Sequence, residues 1–175
     1  MKLLAFAASS SSKSINKLLA SYAASLVENA DVEVLDINDY EIPLFSQDKE
    51  AVLGQPEEAK AFYKKIGEAD ALIISFAEHN GSYTAAYKNL FDWTSRINQK
   101  LFQNKPMVLL STSPGPGGAA TVLNSAVTSA PYFDGDVKAS LSIPSFFDNF
   151  DVESQKITSP AILEQLTQAV STLGK

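Results

Sequence analysis

Residues 71–97 read ALIISFAEHNGSYTAAYKNLFDWTSRI, and the apolar period of this stretch changes midway. Ala71–Phe76 is an apolar run of strand length. From about Tyr83 to Ile97, the residues Tyr87, Leu90, Phe91, Thr94 and Ile97 recur at helical spacing. Between them lies a polar segment containing Gly81. The order is strand, loop, helix. A strand that is apolar at consecutive positions, here all but Ser75, rather than at alternate ones belongs inside a sheet covered on both faces.

The same alternation extends in both directions. Upstream, Leu3–Ala7 predicts a buried first strand. Ile15, Leu18, Leu19, Tyr22, Ala23, Leu26 and Val27 then predict an amphipathic helix over 15–29. Val32–Ile37 predicts a second strand, with Val32, Val34 and Asp36 facing opposite to Glu33 and Leu35. A polar stretch containing Pro43 and Gly54 leads to a helix starting near Pro56 and carrying Phe62 and Ile66. Downstream come a strand at Met107–Leu110, a small-residue helix at Ala119–Ala130, a strand at Lys138–Ile143 and a final helix opened by Pro160. Strands alternating with helices predict an α/β fold with a parallel sheet between two helical layers. Five such units suit a flavodoxin-like three-layer sandwich in strand order 2-1-3-4-5, with residues 1–175 as one domain. Ligands of such sheets bind beyond the carboxyl ends of strands one and three, where the winding reverses.

Composition narrows the chemistry. Among 175 residues, 45% are hydrophobic and 19% charged, with a formal net charge of -6. That balance argues against nucleic acid or an anionic membrane as the main partner. The absence of cysteine excludes disulfides, thiolate metal sites and cysteine nucleophiles, and one histidine, His79, cannot build a histidine metal cluster. No metal site is expected, and redox chemistry here has to come from an organic cofactor. The six apolar residues Leu3–Ala8 after Lys2 are shorter than a signal core of roughly 7–15, which points to a buried strand in a cytoplasmic protein.

The fold predicts that three loops line the site: 8–14, 77–82 and 111–118. The first carries Ser9, Ser10, Ser11, Ser12, Lys13 and Ser14, followed by Ile15 and Asn16. Free amides and the positive end of a helix dipole suit it to a single phosphate; the plainer alternative is a serine-rich turn with Ser14 as helix cap. Walker and dinucleotide glycine patterns are absent. The second holds Glu78, His79, Asn80, Gly81 and Ser82, able to meet the edge of a planar heterocycle. A hydrolase built on Ser82, His79 and Asp92 lacks the required G-x-S-x-G elbow. In the third, Ser113, Gly117 and Gly118 belong to a backbone surface with little side-chain bulk.

In these three loops the chain resembles the NADPH-dependent FMN reductases, flavodoxin-like proteins that include quinone, chromate and azo-dye reductases. Ser9, Ser14 and Asn16 match the family's first loop. Glu78, Asn80, Gly81, Ser82, Lys88, Asn89, Asp92 and Trp93 match its second loop and following helix. Ser113, Gly117 and Gly118 match its third. Ala8, Ser11, Ala77 and His79 stand where the family has glycine, arginine, proline and tyrosine, leaving Lys13 as the loop's cation. The resemblance implies FMN held by Ser9, Ser11, Ser14, Ile15, Asn16, Glu78, His79, Asn80, Gly81, Ser82, Ser113, Gly117 and Gly118. It also implies NADPH or NADH as co-substrate and hydride transfer through flavin N5 to a small-molecule electron acceptor, with no catalytic side chain. The alternative is an electron carrier or FMN-binding protein without nicotinamide turnover. A homodimer or homotetramer is expected; Tyr87, Phe91 and Trp93 serve either that interface or the core.

Overall fold

The computed structural model describes residues 1–174; Lys175, the last residue of the predicted domain, lies outside the described residues. Five strands, β1 (Lys2–Ala8), β2 (Asp31–Leu35), β3 (Ala71–Phe76), β4 (Lys105–Thr112) and β5 (Gly135–Ile143), form one parallel sheet in the order 2-1-3-4-5. The helices are α1 (Ile15–Ser25), α2 (Gln47–Leu53), α3 (Glu57–Glu68), α4 (Ala85–Ile97), α5 (Ala120–Ser129), the one-turn α6 (Phe146–Asn149) and α7 (Pro160–Ser171).

The two-residue period of the strands divides the core into two layers. Leu4, Phe6, Leu72, Ile74 and Leu109 face one side and pack with Phe62 and Ile66 of α3, Leu90 and Trp93 of α4 and Val122 of α5. Leu3, Ala5, Ile73, Val108 and Leu110 face the other, against Leu19 and Ala23 of α1 and Leu166 and Val170 of α7. Both faces are covered, which is why β1 and β3 read as continuous apolar runs. The aromatic residues of α4 serve the core: Tyr87 and Trp93 are buried, and Phe91 packs against Phe133 with ring centroids 4.6 Å apart. The Trp93 indole donates to the Pro43 carbonyl at 2.7 Å.

Several boundaries differ from the sequence reading for identifiable reasons. β2 ends at Leu35, because the Asp36 carboxylate accepts the Asn38 amide and turns the chain into a short 3-10 segment, Ile37–Tyr40. Val32 and Val34 share a face as expected, yet remain exposed on an edge strand. α2 interrupts the predicted polar stretch. Every one of its residues is at least partly exposed, so it has no apolar stripe to read; its ends are local, with Ser46 capping Lys49 N–H and Gly54 closing at φ 68°. α1 ends at Ser25, four residues early.

Phe62 sits at the centre of the first layer, edge-on to Phe6 at 5.6 Å and to Tyr40 at 5.5 Å. Phe62→Ala is expected to cost about 3–5 kcal/mol through lost transfer energy and a residual cavity. Urea denaturation followed by Trp93 fluorescence measures this directly, and a loss under about 1 kcal/mol contradicts the packing.

Candidate functional site

The chain crosses between the faces of the sheet beside β1 and β3, and the loops following β1, β3 and β4 meet at their carboxyl ends. One side chain ties them together. Asn16, at the start of α1 and 2% exposed, donates its amide to the Thr112 carbonyl at 3.1 Å and accepts the Thr112 N–H at 3.1 Å. Its oxygen also accepts the Ser75 hydroxyl at 2.7 Å. Asn16 thus acts inward, fixing where α1 begins relative to β3 and β4.

α1 consequently presents its N-terminus to the crevice. Ser14 caps it, accepting the Lys17 amide at 3.2 Å, so the plain helix-cap reading holds for its side chain. Ser9 accepts the Ser11 amide at 3.2 Å and Ser11 accepts the Lys13 amide at 3.3 Å, which curls the loop into successive small turns. The amides of Ser12, Ile15 and Asn16 find no acceptor among the described residues. Ser11, Ser12 and Lys13 are exposed at this end. Lys17 points away, bound to Asp36. That ammonium, together with the Asn38 amide, holds the Asp36 carboxyl below its ordinary value of 3.8.

The second loop is a miniature antiparallel hairpin, Glu78–His79 against Ser82–Tyr83. Its turn is Asn80-Gly81 with φ of 53° and 76°, the left-handed pair that a two-residue hairpin demands. His79, Asn80, Gly81 and Ser82 are all exposed. The hairpin is anchored on both sides. Thr84 caps α4 through the Tyr87 amide and donates its hydroxyl to the Ala8 carbonyl at 3.0 Å, linking the second loop to the end of β1. Glu78 reaches the opposite way, its carboxylate accepting the Val122 amide in the first turn of α5 at 2.8 Å. Burial beside the Tyr83 phenol pushes the Tyr87 hydroxyl far above its ordinary value, so it is a protonated core group.

The third loop is held through its backbone carbonyls. The Gly118 carbonyl accepts the Ser111 hydroxyl at 2.7 Å and the Ser142 hydroxyl at 2.9 Å. Gly118 has φ 57°, and a Cβ there would strike Ser142 and the Ile143 carbonyl. Farther along the chain, Ser145 N–H donates to the Gly115 carbonyl at 2.9 Å and Phe146 N–H to the Ser113 carbonyl at 3.0 Å. The segment after β5 thereby braces the loop. Gly81, Gly115 and Gly117 face open space: a Cβ on any of them meets no atom within 4 Å.

The crevice therefore offers free amides and hydroxyls at one end and two bare backbone surfaces beside it. That fits an elongated ligand with a phosphate and a flat ring. Of the predicted site residues, Ser11, His79, Asn80, Gly81, Ser82 and Gly117 are exposed there, and Ser113 and Ile15 are partly so; Ser9, Ser14, Asn16 and Gly118 are buried and shape the loops. Sequence reading missed Ser75, Thr84, Thr112 and Ser145. Of these, Thr84 carried a local signal as a helix-cap residue before a periodic run.

Asn16→Ala leaves Thr112 and Ser75 without their buried partner. It is expected to cost about 2–4 kcal/mol in thermal or urea unfolding, because unmet buried polar groups are expensive. The Lys17–Asp36 pair gives a second expectation. A depressed carboxylate pKa stabilises the fold above the unfolded value and loses that contribution as pH falls through the folded one. Lys17→Met should return the Asp36 titration, followed by NMR, upward toward 3.8 and shift acid unfolding to higher pH; an unmoved titration contradicts the pairing.

Comparison with known proteins agrees with this geometry. The chain is 36% identical over 121 residues to an NAD(P)H-dependent FMN reductase of Pseudomonas aeruginosa, covering 69% of this chain and 64% of that protein. It is 38% identical over 109 residues to a 2-hydroxy-1,4-benzoquinone reductase of a Burkholderia species, covering 61% and 57%. The aligned part is thus less than two thirds of either relative. In fold, it is similar to the flavoenzyme NAD(P)H:(acceptor) oxidoreductase FerB of Paracoccus denitrificans, with a TM-score of 0.76 at 22% identity over 98% of this chain and 94% of that one. The family model for NADPH-dependent FMN reductases matches residues 1–144, from β1 through the third loop to the end of β5, and the chain belongs to that family.

Proposed function

We propose that this protein is an FMN-dependent NAD(P)H oxidoreductase that passes hydride from a nicotinamide to a small acceptor such as a quinone, azo dye, metal oxyanion or free flavin. The observation that carries this reading is the pairing of unsatisfied amides at the α1 N-terminus with open backbone over Gly81, Gly115 and Gly117. Family membership supports it. When bound, FMN would supply the redox chemistry, that of a two-electron acceptor from the nicotinamide and donor to the small acceptor.

The chain's own residues bind and orient. The hydroxyls of Ser11 and Ser12 and the amides at the start of α1 would hold the phosphate, with Ser9 shaping the loop beneath them. The Asn80-Gly81 turn would meet the ring edge, and the 113–118 backbone would lie along the ring on its other side. Lys13 is the cation the first loop supplies, since Lys17 is neutralised by Asp36. Phosphate recognition then rests on amides and hydroxyls more than on charge, and the loops offer little to separate NADPH from NADH. Thr84, Asn16 and the Ser111–Gly118 bond would keep the loops from collapsing into the space the ring needs. The same family expectation makes the protein a homodimer or homotetramer, which mass in solution reads.

FMN-loaded protein is expected to be yellow, to bleach anaerobically with NADH or NADPH without a protein partner, and to regain colour with benzoquinone. Yellow protein that no nicotinamide reduces would make it a carrier instead. Gly117→Leu is the sharper probe, because its Cβ enters open space. Melting of the apoprotein should be unchanged, while FMN affinity falls more than about tenfold, the cost of about 1.4 kcal/mol of steric conflict. Wild-type affinity in that variant sinks the placement.

A further inference from the structure

Helices α1, α4 and α5 begin in the loops after β1, β3 and β4; α4 is capped by Thr84, and the N-termini of α1 and α5 are treated differently. α1 is capped by a neutral serine and leaves amides unpaired. α5 is preceded by Ala119, which lies in the left-handed region at φ 59° and supplies no side-chain cap. Its cap comes from another loop: the Glu78 carboxylate, 44 residues away in sequence, accepts the Val122 amide at 2.8 Å. A carboxylate at a helix N-terminus meets both an unpaired donor and the positive end of the dipole.

We infer that Glu78 is a positioning residue that fills the anion site of α5, so that the cofactor phosphate is left to α1, and that clamps the Asn80-Gly81 turn against the glycine-rich loop. The clamp is direct. Glu78 begins the hairpin whose turn is Asn80-Gly81, and Val122 lies four residues after Gly118. The gap between the two bare backbone surfaces is therefore set at this end by the Glu78 bond, while the Tyr83 and Ser129 hydroxyls, 3.3 Å apart, tie the hairpin to the far end of α5. Charge follows from the same placement. With the carboxylate in place, the α5 dipole is offset and stabilises added negative charge in the gap less than a free helix end does. Glu78 thus holds down the affinity for the reduced, more anionic flavin relative to the oxidised form. The inference rests on the flavin reading above, but it assigns Glu78 a role through α5 rather than contact with the ring.

Two variants separate geometry from charge. Glu78→Gln keeps an oxygen that can accept the Val122 amide and removes the charge; Glu78→Ala removes both. In Glu78→Gln, the melting temperature and the affinity for oxidised FMN should stay near wild type. The ratio of reduced to oxidised FMN affinity should rise about threefold, read as a midpoint potential higher by roughly 15 mV for a two-electron couple. In Glu78→Ala, the apoprotein melting temperature should drop and oxidised FMN should bind more than about fivefold more weakly, as expected when a cap joining two loops is lost. Wild-type potential in Glu78→Gln, or wild-type melting and FMN affinity in Glu78→Ala, overturns the inference alone. Wild-type protein that binds no FMN overturns the flavin reading and this inference with it.

Discussion

The side-chain amide of Asn16 satisfies both the N–H and the carbonyl of Thr112, as a neighbouring strand would. Beyond its carboxyl end a parallel sheet has no further ladder to hold its strands, and the polar groups there need partners or water. By standing in for a strand residue, Asn16 closes that edge at β4 while its oxygen takes the Ser75 hydroxyl on β3. Because Asn16 is itself the second residue of α1, the same three bonds fix the direction in which that helix starts. The free amides at its N-terminus then face the crevice created by the reversal of winding. The rest of the site is arranged around that fixed point.

The loops around it use few side chains. Thr84 ties the second loop to β1, Ser111 and Ser142 hold the Gly118 carbonyl, and the segment after β5 braces Gly115 and Ser113. Each bond is modest, about 1 kcal/mol net, but each is buried or half-buried and would be costly to leave unmade. What they hold in place is bare backbone. A surface of this kind recognises a planar ligand by shape and by amide donors. A preorganised backbone of this sort suits a cofactor that brings its own reactivity.

Much of the fold was legible because its physical cause is local. Buried parallel strands must be apolar at nearly every position, as β1 is from Leu3 to Ala8 and β3 is except at Ser75; helices packed on one face must be apolar at every third or fourth position, as α1, α3, α4 and α7 are. Where the cause is not periodic burial, the sequence pattern says less. α2 lies on the surface and is defined by Ser46 and Gly54 at its ends, while the Val32–Val34 face is apolar yet uncovered because β2 lies at the sheet edge. The crowding of aromatics on α4 was ambiguous in sequence; burial of Tyr87 and Trp93 assigns them to the core.

The sequence by itself determined the α/β class and the parallel sheet between helical layers, because its hydrophobic period leaves few other arrangements; other doubly wound orders meet the same pattern, so the pairing of the strands decided the order 2-1-3-4-5 and with it which loops meet at the reversal. It also placed Asn80 and Gly81 in a polar loop where glycine permits positive φ; the two-residue hairpin turn they form is seen only in the structure. Only the tertiary structure decided what individual side chains do. Asn16 turns inward to Thr112, Lys17 is taken by Asp36, and Glu78 crosses to the end of a helix 44 residues away. These are contacts between segments distant in the chain, and no local spacing encodes them; they exist because folding of the sheet brings the carboxyl ends of β1, β3 and β4 within hydrogen-bond reach of one another.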